Sequence, residues 1–112
     1  MSWGKAGHRE EVEELLREFK DSLLKLLGKN FSSMVLFGSY ARAEADEESD
    51  VDIAILTRRR LTREEKKEVS KIASRLSLKY DLVISCLFYP EEEFRRRQTP
   101  FLSNIRKEGI KI

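Results

Sequence analysis

The sequence predicts a single α/β (α+β) domain spanning 1–112, a mixed β-sheet with helices packed on it. Three observations carry this reading. Stretches with apolar residues at helical spacing alternate with short apolar runs of strand length. A chain of 112 residues closes one hydrophobic core but leaves nothing for a second. No internal repeat, linker or low-complexity segment divides it. The expected order is helix, strand, strand, helix, strand, helix, as one layer of helices on one sheet.

Residues 1–7 read as a mobile polar arm, with Trp3 available to anchor it or a partner. From His8 to Leu27 the residues Val12, Leu15, Leu16, Phe19, Leu23, Leu26 and Leu27 recur at helical spacing, and Gly28 supplies a left-handed stop. Met34–Phe37 and Val51–Leu56 are strand-length apolar runs, joined by Tyr40–Asp50 as a short helical turn and a solvated acidic loop containing Glu44, Asp46, Glu47 and Glu48. Thr62 followed by Glu65 forms a capping-box signature, and Val69, Ile72, Ala73 and Leu76 give the next helix its apolar face to about Leu78. Asp81–Tyr89 is apolar at both parities, the pattern of a strand covered on both faces, and Pro90 closes it. A helix or helix pair over Glu91–Glu108 ends at Gly109, leaving Ile110–Ile112 as a tail.

Bulk properties remove several function classes. With 22 basic and 20 acidic residues the net charge is +2, which does not make the chain a nonspecific nucleic-acid or membrane binder. The single cysteine, Cys86, excludes a disulfide framework and a cysteine-rich metal site, and its apolar neighbours suit a buried small hydrophobe. No apolar run reaches bilayer-spanning length and no apolar leader opens the chain, so the expected location is cytoplasmic. His8, the only histidine, stands at a predicted helix end and reads as a surface residue.

The chemistry concentrates in Phe37-Gly38-Ser39-Tyr40-Ala41-Arg42 and Asp50-Val51-Asp52-Ile53-Ala54. Aspartates two apart on a strand share a face, with α-carbons about 6 to 7 Å apart, so Asp50 and Asp52 can converge on one divalent cation or a pair. Gly38 and Ser39 follow a strand at a turn, where a glycine lets backbone pass close to phosphate oxygens and a serine hydroxyl can grip them.

Gly-Ser, ten residues and Asp-x-Asp together resemble the signature of the DNA polymerase beta-like nucleotidyltransferase superfamily. In length and element order the chain is similar to its smallest, MNT-type members. The resemblance implies the polymerase beta-like nucleotidyltransferase fold, with Mg2+ or Mn2+ at Asp50 and Asp52. It implies nucleotide phosphates at Gly38 and Ser39, with Arg42 as an accompanying basic residue. Asp81, opening the third strand, matches the family's third carboxylate, as a catalytic and metal-binding residue, while its place also suits an ordinary turn or cap. Ala43 departs from the family, which usually has glycine there, and suggests a continued helical turn.

The activity so implied is transfer of adenylate from ATP to a hydroxyl, in a chain with no room for an acceptor-binding domain. A helical HEPN-type protein of a toxin–antitoxin pair is therefore the expected partner. A non-catalytic antitoxin and RNA-directed transfer are the alternatives. The runs Arg58–Arg60 and Arg95–Arg97 offer basic patches for a docking protein or a nucleic acid, and apolar helix faces leave room for a homodimer.

Overall fold

The computed structural model describes residues 6–46 and 48–112, with side chains from Arg9 onward. Trp3 and the rest of 1–5, Glu47 and the side chains of residues 6–8 lie outside the described residues, while the first helix already begins at position 6, inside the expected arm. Helix α1 (Ala6–Leu27) buries Val12, Leu15, Leu16, Phe19, Leu23 and Leu27, whereas Leu26 faces solvent. Gly28 at φ +56° breaks it as expected, and a 3-10 turn leads into β1 (Phe31–Phe37). A four-residue α2 (Gly38–Ala41) follows, then β2 (Val51–Thr57), α3 (Arg63–Tyr80), β3 (Ile84–Pro90), α4 (Glu91–Arg96), α5 (Pro100–Glu108) and β4 (Ile110–Lys111).

The capping box holds. Thr62 Oγ1 accepts the Glu65 N–H at 3.1 Å and Glu65 Oε1 accepts the Thr62 N–H at 2.9 Å, an arrangement worth about 1 kcal/mol to a helix start. Arg59 grips the same carboxylate through two guanidinium nitrogens at 3.0 Å, and the Glu65 carboxyl is held down at about 2 by Arg59 first and by the Thr62 backbone second.

The sheet runs β3-β2-β1-β4 and is mixed. β1 pairs antiparallel with β2 and β4, while β2 and β3 are parallel, joined by the α3 crossover. Its two faces both carry helices, which corrects the single helical layer expected. Val51, Ile53 and Ile55 join α1 and α3 in the larger core, whereas Val35, Ala54 and Leu56 pack with Phe94 of α4 and Leu102 and Ile105 of α5. The reason is visible in β1 and β2, which are apolar at both parities and therefore need cover on both sides.

Two boundaries move. Asp81 does not open β3. It sits at the C-cap of α3 at φ +53°, with its N–H bonded to the Ser77 carbonyl, and the strand begins three residues later. The expected tail forms β4 instead, where Val35 pairs with Lys111 and the Ile112 N–H reaches the Met34 carbonyl at 3.0 Å.

Candidate active site

The site is built where β1 ends and β2 begins. Antiparallel pairing sets Phe37 opposite Asp52, so the turn at Gly38 lies beside the second aspartate by register alone. Gly38 takes φ +75°, a left-handed conformation that favours glycine. Space matters as much as conformation. A Cβ on Gly38 would stand 2.2 Å from Asp52 Oδ2 and 3.1 Å from its Cγ. Asp52 thus lays its carboxylate directly on the bare α-carbon of Gly38, and the expected reason for the glycine, close approach of phosphate, acquires a second one inside the protein. Tyr40, wholly buried in the main core, anchors the short helix that carries Ser39.

Asp52 shares its strand parity with Ala54 and Leu56, which places it on the α4/α5 face of the sheet. It is half-buried, Asp50 is exposed, and neither makes a side-chain hydrogen bond or ion pair among the described residues. Burial first and Asp50 second raise the Asp52 carboxyl above its ordinary value, and Arg42 opposes them. Arg42 is held by two carboxylates, with Nε 2.9 Å from Glu44 and Nη1 3.4 Å from Glu108 of α5. These exposed pairs contribute little stability but fix the guanidinium near the aspartates.

Asp50, Asp52, Gly38 and Arg42 come together as the sequence suggests, with Ser39 in the adjoining turn. Asp81 does not complete a trio: among the described residues no three carboxylate, histidine or cysteine side chains gather as a metal-binding group. On β3 the residue paired with Asp52 is Ser85, which the motif did not single out, and Asp81 lies four residues before it. Ala43 does not continue the helix. It takes φ +58° after the Arg42 cap, the conformation glycine would hold there with least strain.

The arginine runs are partly spent on internal pairs. Arg60 meets Glu93 at 2.8 Å, Arg95 meets Glu91 at 2.9 Å, and Arg96 lies 4.0 Å from Glu92. α4 leaves the sheet at Pro90, which pairs with Thr57 at the end opposite Asp52. Cys86 is partly covered and its thiol is pushed up to about 12 by burial, as fits an unreactive small hydrophobe.

Residues 12–112 match the nucleotidyltransferase domain family. The chain belongs to that family. It is 40% identical over 102 residues to a Methanocaldococcus jannaschii protein named "putative protein adenylyltransferase", covering 91% of this chain and 99% of that one. Its fold is similar to that of a toxin–antitoxin solved with AMP-PNP, with TM-score 0.59, 22% identity, and cover of 84% of this chain and 69% of the other. A Shewanella oneidensis complex of a tri-AMPylated HEPN toxin with an MNT antitoxin is similar at TM-score 0.50 and 22% identity, covering 85% and 69%. Likeness at that identity speaks for the fold. The family and the adenylyltransferase relative make this chain a nucleotidyltransferase, and the four-stranded mixed sheet with helices agrees with the fold class expected.

Proposed function

We propose that this nucleotidyltransferase moves adenylate from ATP onto a hydroxyl of a helical, HEPN-type partner protein, with Mg2+ or Mn2+ held by Asp50 and Asp52. The observation that carries the metal reading is Asp52 itself: a half-buried carboxylate beside a second one, with no donor among the described residues. Such a pair is unfavourable in isolation and becomes favourable around a divalent cation. A divalent cation held there would supply neutralisation of charge on the phosphates and on the attacking oxygen.

The protein's own residues supply position. Gly38 and Ser39 offer the turn on which the triphosphate rests, and Gly38 also leaves Asp52 its place. Arg42, fixed by Glu44 and Glu108, adds a positive charge beside that turn. Asp50 and Asp52 suffice as the protein ligands in this reading, with Asp81 as the helix cap the backbone makes it. Support for the acceptor comes from the relative's name and from the AMPylated toxin in a similar complex.

Co-purification from the native source followed by intact-mass measurement tests it. The expected result is a small helical protein that gains the mass of one or more adenylates when ATP and Mg2+ are added. A partner that never gains mass would point to neutralisation by contact, and label on RNA to a nucleic-acid acceptor; either would overturn the proposal.

A further inference from the structure

Beside Gly38, on the α4/α5 face, lies a cleft of about 340 Å³ whose far wall is α5. Helix α5 buries Leu102 and Ile105, and Phe101, Asn104, Ile105 and Glu108 line the cleft at the three- and four-residue spacing of a single stripe. Phe101 is 52% exposed, a large apolar ring in a cleft that also holds Asn104, Glu108 and Arg42, although α5 has a buried face that could have taken it. It stands edge-to-face with Phe37, ring centroids 6.2 Å apart, and Phe37 in turn packs against the α4/α5 core, so the core braces Phe101 while half of its ring stays open. Asn104 offers an amide donor and acceptor one turn on, and Glu108 offers a carboxylate already pointed at Arg42.

The cleft therefore gathers an aromatic ring, an amide, a carboxylate paired with a guanidinium, and the bare turn at Gly38. That set of chemistries matches a purine nucleoside triphosphate. The base would stack on Phe101 and be read by the Asn104 amide, which can bond an adenine edge at two points. Ribose hydroxyls would donate to Glu108, and the phosphates would extend over Gly38 toward Arg42 and the aspartates. The volume lies at the small end of ligand pockets and suits a nucleoside whose phosphates remain outside.

We propose that Phe101, Asn104 and Glu108 of α5 form the nucleoside half of the active site and select a purine base. This rests on the nucleotidyltransferase reading above and adds to it the residues that hold the base. The test is affinity for ATP and for inorganic tripolyphosphate, each with Mg2+, on the wild-type chain and on Phe101→Ala, Phe101→Tyr and Asn104→Ala. Stacking on one aromatic ring predicts that Phe101→Ala weakens ATP binding roughly 5- to 100-fold, leaves tripolyphosphate unchanged, and is rescued by Phe101→Tyr. Asn104→Ala should narrow any preference for ATP over GTP.

Because Phe101 is half exposed, its truncation leaves the core intact, and a melting curve confirms this. ATP affinity within two-fold of wild type in Phe101→Ala, or equal weakening of ATP and tripolyphosphate, would overturn the inference alone. A wild-type chain that binds neither compound would overturn the nucleotidyltransferase reading itself and the inference with it.

Discussion

Replacing Gly38 by alanine separates the two reasons for a glycine beside the aspartates. The first is conformational: at φ +75° a Cβ costs about 1–2 kcal/mol of stability. The second is spatial, since the new Cβ would stand 2.2 Å from Asp52 Oδ2, closer than real Cβ contacts come. The carboxylate must retreat by roughly 1 Å, and a displacement of that size in a catalytic group costs about 100-fold in rate, or about 2.7 kcal/mol of barrier. Gly28 provides the control. It has φ +56° and nothing within 4 Å of a Cβ, so Gly28→Ala carries the conformational cost without the collision. Denaturant unfolding should show losses of about 1–2 kcal/mol for both variants, whereas adenylate transfer should fall about 100-fold for Gly38→Ala only. Transfer within a few-fold of wild type in folded Gly38→Ala would refute the claim that Gly38 exists to seat Asp52, and equal losses in both variants would mean that destabilisation is the cause.

Three further outcomes follow from the geometry. With its folded pKa raised above the unfolded one, ionised Asp52 destabilises the native state at neutral pH and ceases to do so once pH falls below the ordinary 3.8; metal-free Asp52→Asn should thus melt higher than wild type at pH 7, lose that gain in acid, and transfer adenylate at least about 100-fold more slowly. Ala43→Gly relieves a left-handed alanine at φ +58° and should stabilise by about 1 kcal/mol, a rise near 4 °C by calorimetry; an unchanged or lower midpoint would show that Ala43 is not strained. Asp81→Asn keeps a side chain that tolerates the left-handed cap, so melting and transfer should both stay close to wild type, and a hundred-fold loss of transfer would return Asp81 to the metal site.

The part of the site that the sequence discloses is local. Gly38, Ser39, Asp50 and Asp52 fall within fifteen residues, and one antiparallel pairing, Phe37 with Asp52, suffices to bring them together. Contributions from far along the chain are not disclosed. Glu108 reaches Arg42 across 66 positions and Phe101 reaches Phe37 across α5, contacts that no spacing rule encodes. Asp81 shows why a strand start is hard to place: a polar residue between a helix and an apolar run serves equally as first strand residue or as helix cap, and only the backbone, left-handed at φ +53°, decides. Ala43 shows the same from the other side, since a left-handed turn without glycine leaves no compositional trace. The second helical layer, in contrast, was legible in principle, because Val35, Ala54 and Leu56 make β1 and β2 apolar at the parity that α4 and α5 cover.

In the proposed reaction two aspartates and a divalent cation move a nucleoside monophosphate to an acceptor. Incubating the wild-type chain with ATP labelled at the α-phosphate, Mg2+ and a lysate of the organism that encodes it measures this most directly, with Asp50→Asn and Asp52→Asn run in parallel. Label is expected on a small protein with the wild-type chain alone, abolished by chelation of the metal and by either substitution. Equal labelling by wild-type and Asp52→Asn chains, or labelling that survives chelation, would contradict it.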